Sequence, residues 1–61
     1  MELKFKYKNW RGEINNRNVL PYRRWFGSTD FHKEPQWLLK ALDLDKNVER
    51  DFALKDIIEW L

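Results

Sequence analysis

The chain opens on strict alternation. In Leu3-Lys4-Phe5-Lys6-Tyr7-Lys8 the apolar residues fall on one side of an extended backbone and three lysines on the other. That period of two marks a half-buried strand. Asn9-Trp10-Arg11-Gly12 follows; Asn favours turns and Gly tolerates positive φ, so a tight hairpin connection is predicted. Residues 13–26 form a second extended run, where Val19, Pro21, Arg23 and Trp25 alternate with Leu20, Tyr22, Arg24 and Phe26. Pro21 has no N–H for a ladder, which puts it at an edge or a bend. Beyond it both sides are partly apolar, as expected of a long strand that bends and serves two faces.

Gly27–Pro35 is the longest irregular stretch, with Phe31 and His32 inside it. Loops of this length are commonly functional or mobile. The bulky run Trp37-Leu38-Leu39-Lys40-Ala41-Leu42 then meets a polar turn, Asp45-Lys46-Asn47, and the chain returns as Glu49-Arg50-Asp51-Phe52-Ala53-Leu54. A third strand is predicted over about 36–44 and a fourth over about 48–54. Arg50 shares its side of the fourth strand with Phe52 and Leu54. At the C-terminus, Leu54, Ile57, Ile58 and Leu61 fit one helical face. Lys55-Asp56-Ile57 equally fits a 3₁₀ turn before a short strand over 58–61. A terminal helix this short is marginal by itself, which favours the turn and strand.

With no linker, repeat or low-complexity tract, residues 1–61 read as a single domain. Four or five short strands in a flat sheet would leave an apolar face bare. Curling into a small barrel buries both the faces and the edges. The expected fold is all-β: a five-stranded SH3-like barrel with a 3₁₀ turn before the last strand.

Composition adds a constraint. A chain of 61 residues buries only about 60% of its unfolded surface. Four tryptophans, two tyrosines and four phenylalanines are too many large rings for so small an interior, so some aromatic surface is expected outside. Cysteine is absent, which removes disulfides and thiolate metal sites and fits a reducing compartment. A single histidine excludes a histidine-rich metal site. No apolar run approaches the roughly 20 residues of a membrane span, and Met1-Glu2-Leu3-Lys4 has no signal-peptide apolar core. A soluble, cytoplasmic protein without cofactor is expected.

The net charge of +2 hides an asymmetry. Residues 1–33 carry eight basic and three acidic side chains, a net +5; residues 34–61 carry four and seven, a net −3. A basic half suggests an anionic partner, although any small soluble domain also needs charge. Lys8 and Arg11 flank Trp10, and Arg23-Arg24 lies beside Tyr22, Trp25 and Phe26. Basic side chains that follow phosphates, interleaved with rings that stack on bases, are what single-stranded nucleic acid needs. Arg17 and Arg23 have the same strand parity and would face one side. The row Lys4, Lys6 and Lys8 serves equally as a solvated face that discourages edge aggregation.

The order and spacing of several motifs resemble the WYL domain, over about residues 3–61. Phe5-Lys6-Tyr7 with Trp10-Arg11-Gly12-Glu13 resembles its opening hairpin. Arg17-Asn18-Val19-Leu20-Pro21 resembles its second strand. Trp37-Leu38-Leu39 stands where the name triplet Trp-Tyr-Leu would, with leucine replacing tyrosine. Arg50-Asp51-Phe52-Ala53-Leu54 with Ile57 resembles the closing segment. The resemblance implies an SH3-like (Sm-like) barrel of bacterial or phage origin, usually found behind a helix-turn-helix domain in transcription regulators. It implies a ligand-sensing role toward single-stranded nucleic acid or a nucleotide, with Arg50 lining the ligand site. This chain has no room for a helix-turn-helix, and without the tyrosine it lacks that hydroxyl.

Arg50 therefore has two readings: a clamp paired with Asp43 or Asp51, or a cation that grips a phosphate bidentately. Trp37 is core or stacking platform. His32, in its loop, is free in solvent or placed to meet a base or phosphate. Arg17, Arg23, Arg24 and Arg50 are the expected phosphate contacts, and Trp10, Trp25 and Trp37 the expected stacking rings. Catalysis is not expected. Ser28 and Thr29 precede His32 closely, but nothing orients them as a triad requires. Glu49 and Asp51 lie opposite Arg50, and the two glycines are too far apart to cradle a phosphate. The alternative to ligand binding is protein–protein interaction, as a homodimer or with a regulator protein, through exposed aromatics.

Overall fold

The computed structural model describes all 61 residues. The chain forms β1 (Leu3–Lys8), β2 (Ile14–Gly27), β3 (Gln36–Asp43), β4 (Val48–Ala53), a 3₁₀ turn (Leu54–Asp56) and β5 (Ile57–Trp60). Of the two C-terminal readings, the turn and strand form, each beginning one residue earlier than expected. β3 and β4 also end one residue early. The Asp43 carboxylate explains the first of these: its Oδ1 accepts from the N–H groups of Asp45 at 3.0 Å and Lys46 at 3.3 Å. That Asx turn ends the strand. Asn47 then takes a φ of 55°, in the left-handed region that asparagine tolerates.

The strands make one antiparallel sheet in the order β4-β3-β2-β1-β5. No ladder joins β4 to β5, so the hydrogen-bonded sheet ends at these strands and does not close. Yet both are joined by one 3₁₀ turn. Four flat inter-strand steps would separate them by about 19 Å. The four Cα steps from Ala53 to Ile57 reach at most about 14 Å. The sheet is therefore strongly coiled, with one face turned inward.

On that inward face Leu3, Phe5 and Tyr7 stand opposite Val19, Arg17 and Asn15 of β2. The core is Phe5, Tyr7, Val19, Leu39, Ala41 and Phe52, with Leu3, Leu54 and Ile57 packed against it. Phe5, Tyr7 and Phe52 meet edge to face at 5.0–6.1 Å between centroids, the arrangement aromatic quadrupoles favour. The Tyr7 hydroxyl accepts from the Ala53 N–H at 3.0 Å, tying β1 to the end of β4.

β2 changes register within this sheet. Pro21 pairs with Ala41 and Arg23 with Lys40, leaving Tyr22 as the extra residue of a β-bulge. The ladder fails next to the residue that has no N–H to donate. An extra residue flips the faces beyond it, so Arg17 and Arg23 lie on opposite sides of the sheet rather than together. Arg24 and Phe26 come to the inward side, opposite Leu39 and Trp37, while Arg23 and Trp25 go outward, opposite Lys40 and Leu38.

The outward side carries its own small apolar centre. Leu38 and Ala53 are fully buried there, in register with each other. Trp25 stands beside Leu38, and its Nε1 donates to Asp51 Oδ1 at 2.9 Å. A Cβ at Gly27 would lie 2.3 Å from the Trp25 ring, so only glycine leaves room for it. The structure has no helix long and apolar enough to cross a membrane.

Candidate functional site

At one end of the inward face, Asp43 gathers two arginines. The carboxylate is 1% exposed. Its Oδ2 accepts from Arg50 Nε at 3.1 Å and lies 3.5 Å from Arg17 Nη1. Arg17 is stacked near the Tyr7 and Phe52 rings, 5.9 Å from each centroid. Asp43 thus joins β2, β4 and the β3–β4 turn through one side chain. This is the clamp reading of Arg50, with Asp43 rather than Asp51 as partner. Asp51 faces outward, where it receives Trp25 and lies 3.7 Å from Lys40.

The other end of the inward face is open. Arg24, Gln36, Trp37, Leu54 and Lys55 line a groove of about 490 Å³, within the range of roughly 300–1,000 Å³ usual for small-ligand sites. Trp37 is 56% exposed, and Phe26 meets it edge to face at 5.5 Å. Neither Arg24 nor Lys55 is engaged in an ion pair; the four ion pairs of the structure are Lys6–Glu59, Arg17–Asp43, Lys40–Asp51 and Arg50–Asp43. Trp37 stays exposed because its β2 neighbour is Phe26, at the strand ends beyond the packed core.

A second groove continues from the first, sharing Gln36 and Lys55. Trp10, Phe31, His32 and Lys33 line it, together with Asp30, Glu34 and Asp56. Trp10 is 86% exposed and Phe31 89%. The Arg11 guanidinium lies 4.9 Å from the Trp10 ring centroid. The loop is held by itself: Thr29 and His32 exchange backbone hydrogen bonds at 2.9 and 3.2 Å, and Thr29 Oγ1 accepts from the Phe31 and His32 N–H groups. His32 Nε2 lies 3.1 Å from the Asp51 carbonyl oxygen, which ties the loop to β4. Phe31 projects from that anchored turn.

Of the residues singled out from sequence, the structure brings Arg24, Trp37, Trp10 and His32 to this continuous groove. It places Arg17 and Arg50 at the far end of the inward face, on Asp43. It places Arg23 and Trp25 on the outward face; Trp25 is half-buried, with its indole N–H committed to Asp51. Lys55 belongs to the groove and was not singled out, because its position there depends on the 3₁₀ turn. Phe26 was counted among the rings beside Arg23-Arg24 but not joined to Trp37, since only the bulge at Tyr22 brings it there.

Tyr7 lines the second groove from below. Burial pushes its phenol above the ordinary value and Asp56 adds to the rise, while the bond from Ala53 and the charge of Arg17 oppose it. No group of three His, Cys, Asp or Glu side chains is placed to hold a metal ion. Compared with protein-family models, with curated proteins and with solved structures, the chain finds no match.

Proposed function

We propose that this chain is a ligand-binding module without catalytic activity, which holds single-stranded nucleic acid or a nucleotide in the groove at Trp37. The observation that carries the reading is the pairing of an exposed aromatic couple, Trp37 and Phe26, with two cations free of ion pairs, Arg24 and Lys55. A ring face takes a base and the flanking cations take its phosphate. The WYL resemblance supports the same class of ligand, and with it a ligand-sensing role beside a bacterial transcription regulator in the cytoplasm. Barrel closure in the SH3-like manner belongs to this proposal. Its support is the short connection between the two end strands.

Arg17 and Arg50 act in this reading as the Asp43 clamp. The test is fluorescence anisotropy of a labelled single-stranded oligonucleotide at low and moderate salt. Micromolar binding is expected, weakened at least tenfold by Arg24→Ala, Lys55→Ala or Trp37→Ala. With one phosphate neutralised, log affinity should fall against log salt with a slope of about −0.7. Absence of binding at low salt, or binding indifferent to all three substitutions, would overturn the reading.

A second reading rests on the β5 edge. Ile58, Trp60 and Leu61 are each more than half exposed beside a strand with one unpaired side. An apolar open edge invites another strand, which makes this the surface for a protein partner or a second copy. Sedimentation of the wild type and Ile58→Lys decides it: an oligomer converted to monomer supports docking here, and a monomer in both cases removes the second copy.

A further inference from the structure

The groove has two halves of unlike character, and this bears on what fits it. The Trp37 half carries the cations Arg24 and Lys55 and no acid. The Trp10–Phe31 half carries three carboxylates, Asp30, Glu34 and Asp56, against Lys33 and the shared Lys55. Both halves present exposed rings. A phosphate is therefore attracted to the first half and to the junction at Lys55, and repelled from the second. A base is accepted by either.

We infer that the site takes a dinucleoside monophosphate unit of a single strand: one base on Trp37, the bridging phosphate at Lys55 and Arg24, and a second base against Phe31, the Trp10 ring being already covered by Arg11, with no phosphate beyond it. The inference rests on the function proposed above and names its ligand. A mononucleotide fills only the Trp37 half. A dinucleotide gains a second stacking contact without bringing another phosphate to the acidic half. Each stacked base is worth roughly 5- to 150-fold in affinity. A further phosphate on the Phe31 end meets the carboxylates and costs affinity.

The experiment is competition against a labelled oligothymidylate of about eight nucleotides. The competitors are thymidine monophosphate, the dithymidine monophosphate with free hydroxyl ends, and its two forms carrying one added terminal phosphate. The unphosphorylated dinucleotide should compete at least fivefold better than the mononucleotide, and one of the two terminal phosphates should reduce that advantage. Phe31→Ala should bring the dinucleotide down toward the mononucleotide and leave the mononucleotide unchanged; Trp37→Ala should weaken both. Phe31 is almost fully exposed, so its truncation leaves the core intact. Equal competition by mononucleotide and dinucleotide, or indifference to Phe31→Ala, overturns this inference while the proposed function stands. If the labelled oligonucleotide does not bind at all, the proposed function fails and this inference falls with it.

Discussion

Asp43 is the one charged residue buried in this molecule. A carboxylate out of water is costly unless its oxygens are satisfied. Here one oxygen takes two backbone N–H groups and the other faces two guanidinium groups. Removing it would strand Arg17, whose side chain is 17% exposed, and free the turn. Asp43→Ala should therefore cost about 3 kcal/mol in urea unfolding. Arg50→Ala should cost only about 1 kcal/mol, because its side chain is 40% exposed and water screens the pair. Equal losses would mean that Asp43 acts through its pair with Arg50 alone. Tyr7 gives a prediction in pH. Its phenol is raised in the folded state, so its contribution is complete below the unfolded value near 10 and declines as pH rises through the folded one. Stability should fall from about pH 10 upward. Tyr7→Phe should flatten that limb while costing about 2 kcal/mol at neutral pH, because the Ala53 N–H is left unpaired. An unchanged alkaline limb in the variant would show that other groups set it.

At the level of elements, the bulge in β2 decides which side chains meet. Without Tyr22 as the extra residue, Arg24 and Phe26 would face outward, and Trp25 rather than Phe26 would stand opposite Trp37. The same strand ends in a close packing of Trp25 over Gly27, which leaves no space for a methyl group. Gly27→Ala should push the indole away, break its bond to Asp51 and cost about 2 kcal/mol. Denaturation curves with tryptophan emission would report both effects. Unchanged stability would mean that the Trp25 ring shifts without loss. The loop of residues 28–35 needs no regular structure to hold its shape, because Thr29, His32 and Asp51 supply the bonds that a strand would otherwise give.

At the scale of the molecule, the clamp and the groove occupy opposite ends of one coiled sheet. Trp37 and Asp43 lie six residues apart along β3, about 20 Å. Sites that far apart with no shared partner behave independently. Arg50→Ala should lower stability and leave oligonucleotide affinity within about twofold, and Arg24→Ala should do the reverse. Paired unfolding and anisotropy measurements on the two variants test this. Loss of affinity in Arg50→Ala without global unfolding would return Arg50 to the ligand site, as the WYL resemblance implies.

The strands, their alternation and the 3₁₀ turn were legible from residues 3–8, 36–44 and 54–61, because burial on one face writes a local period into the chain. The excess of aromatic surface was legible from composition, because a small interior cannot hold ten large rings. Which arginines act together was not legible. Parity along β2 counts Arg17 with Arg23, and only the pairing of Pro21 and Arg23 with successive residues of β3 shows where the count breaks. Nor could Lys55 be joined to Trp37, nor Asp43 to Arg17 across 26 residues. Those neighbours are made by the coiling of the whole sheet. Periodicity records which side of a strand is dry; which side chains then meet is decided by strand register and curvature, and these belong to the assembled fold.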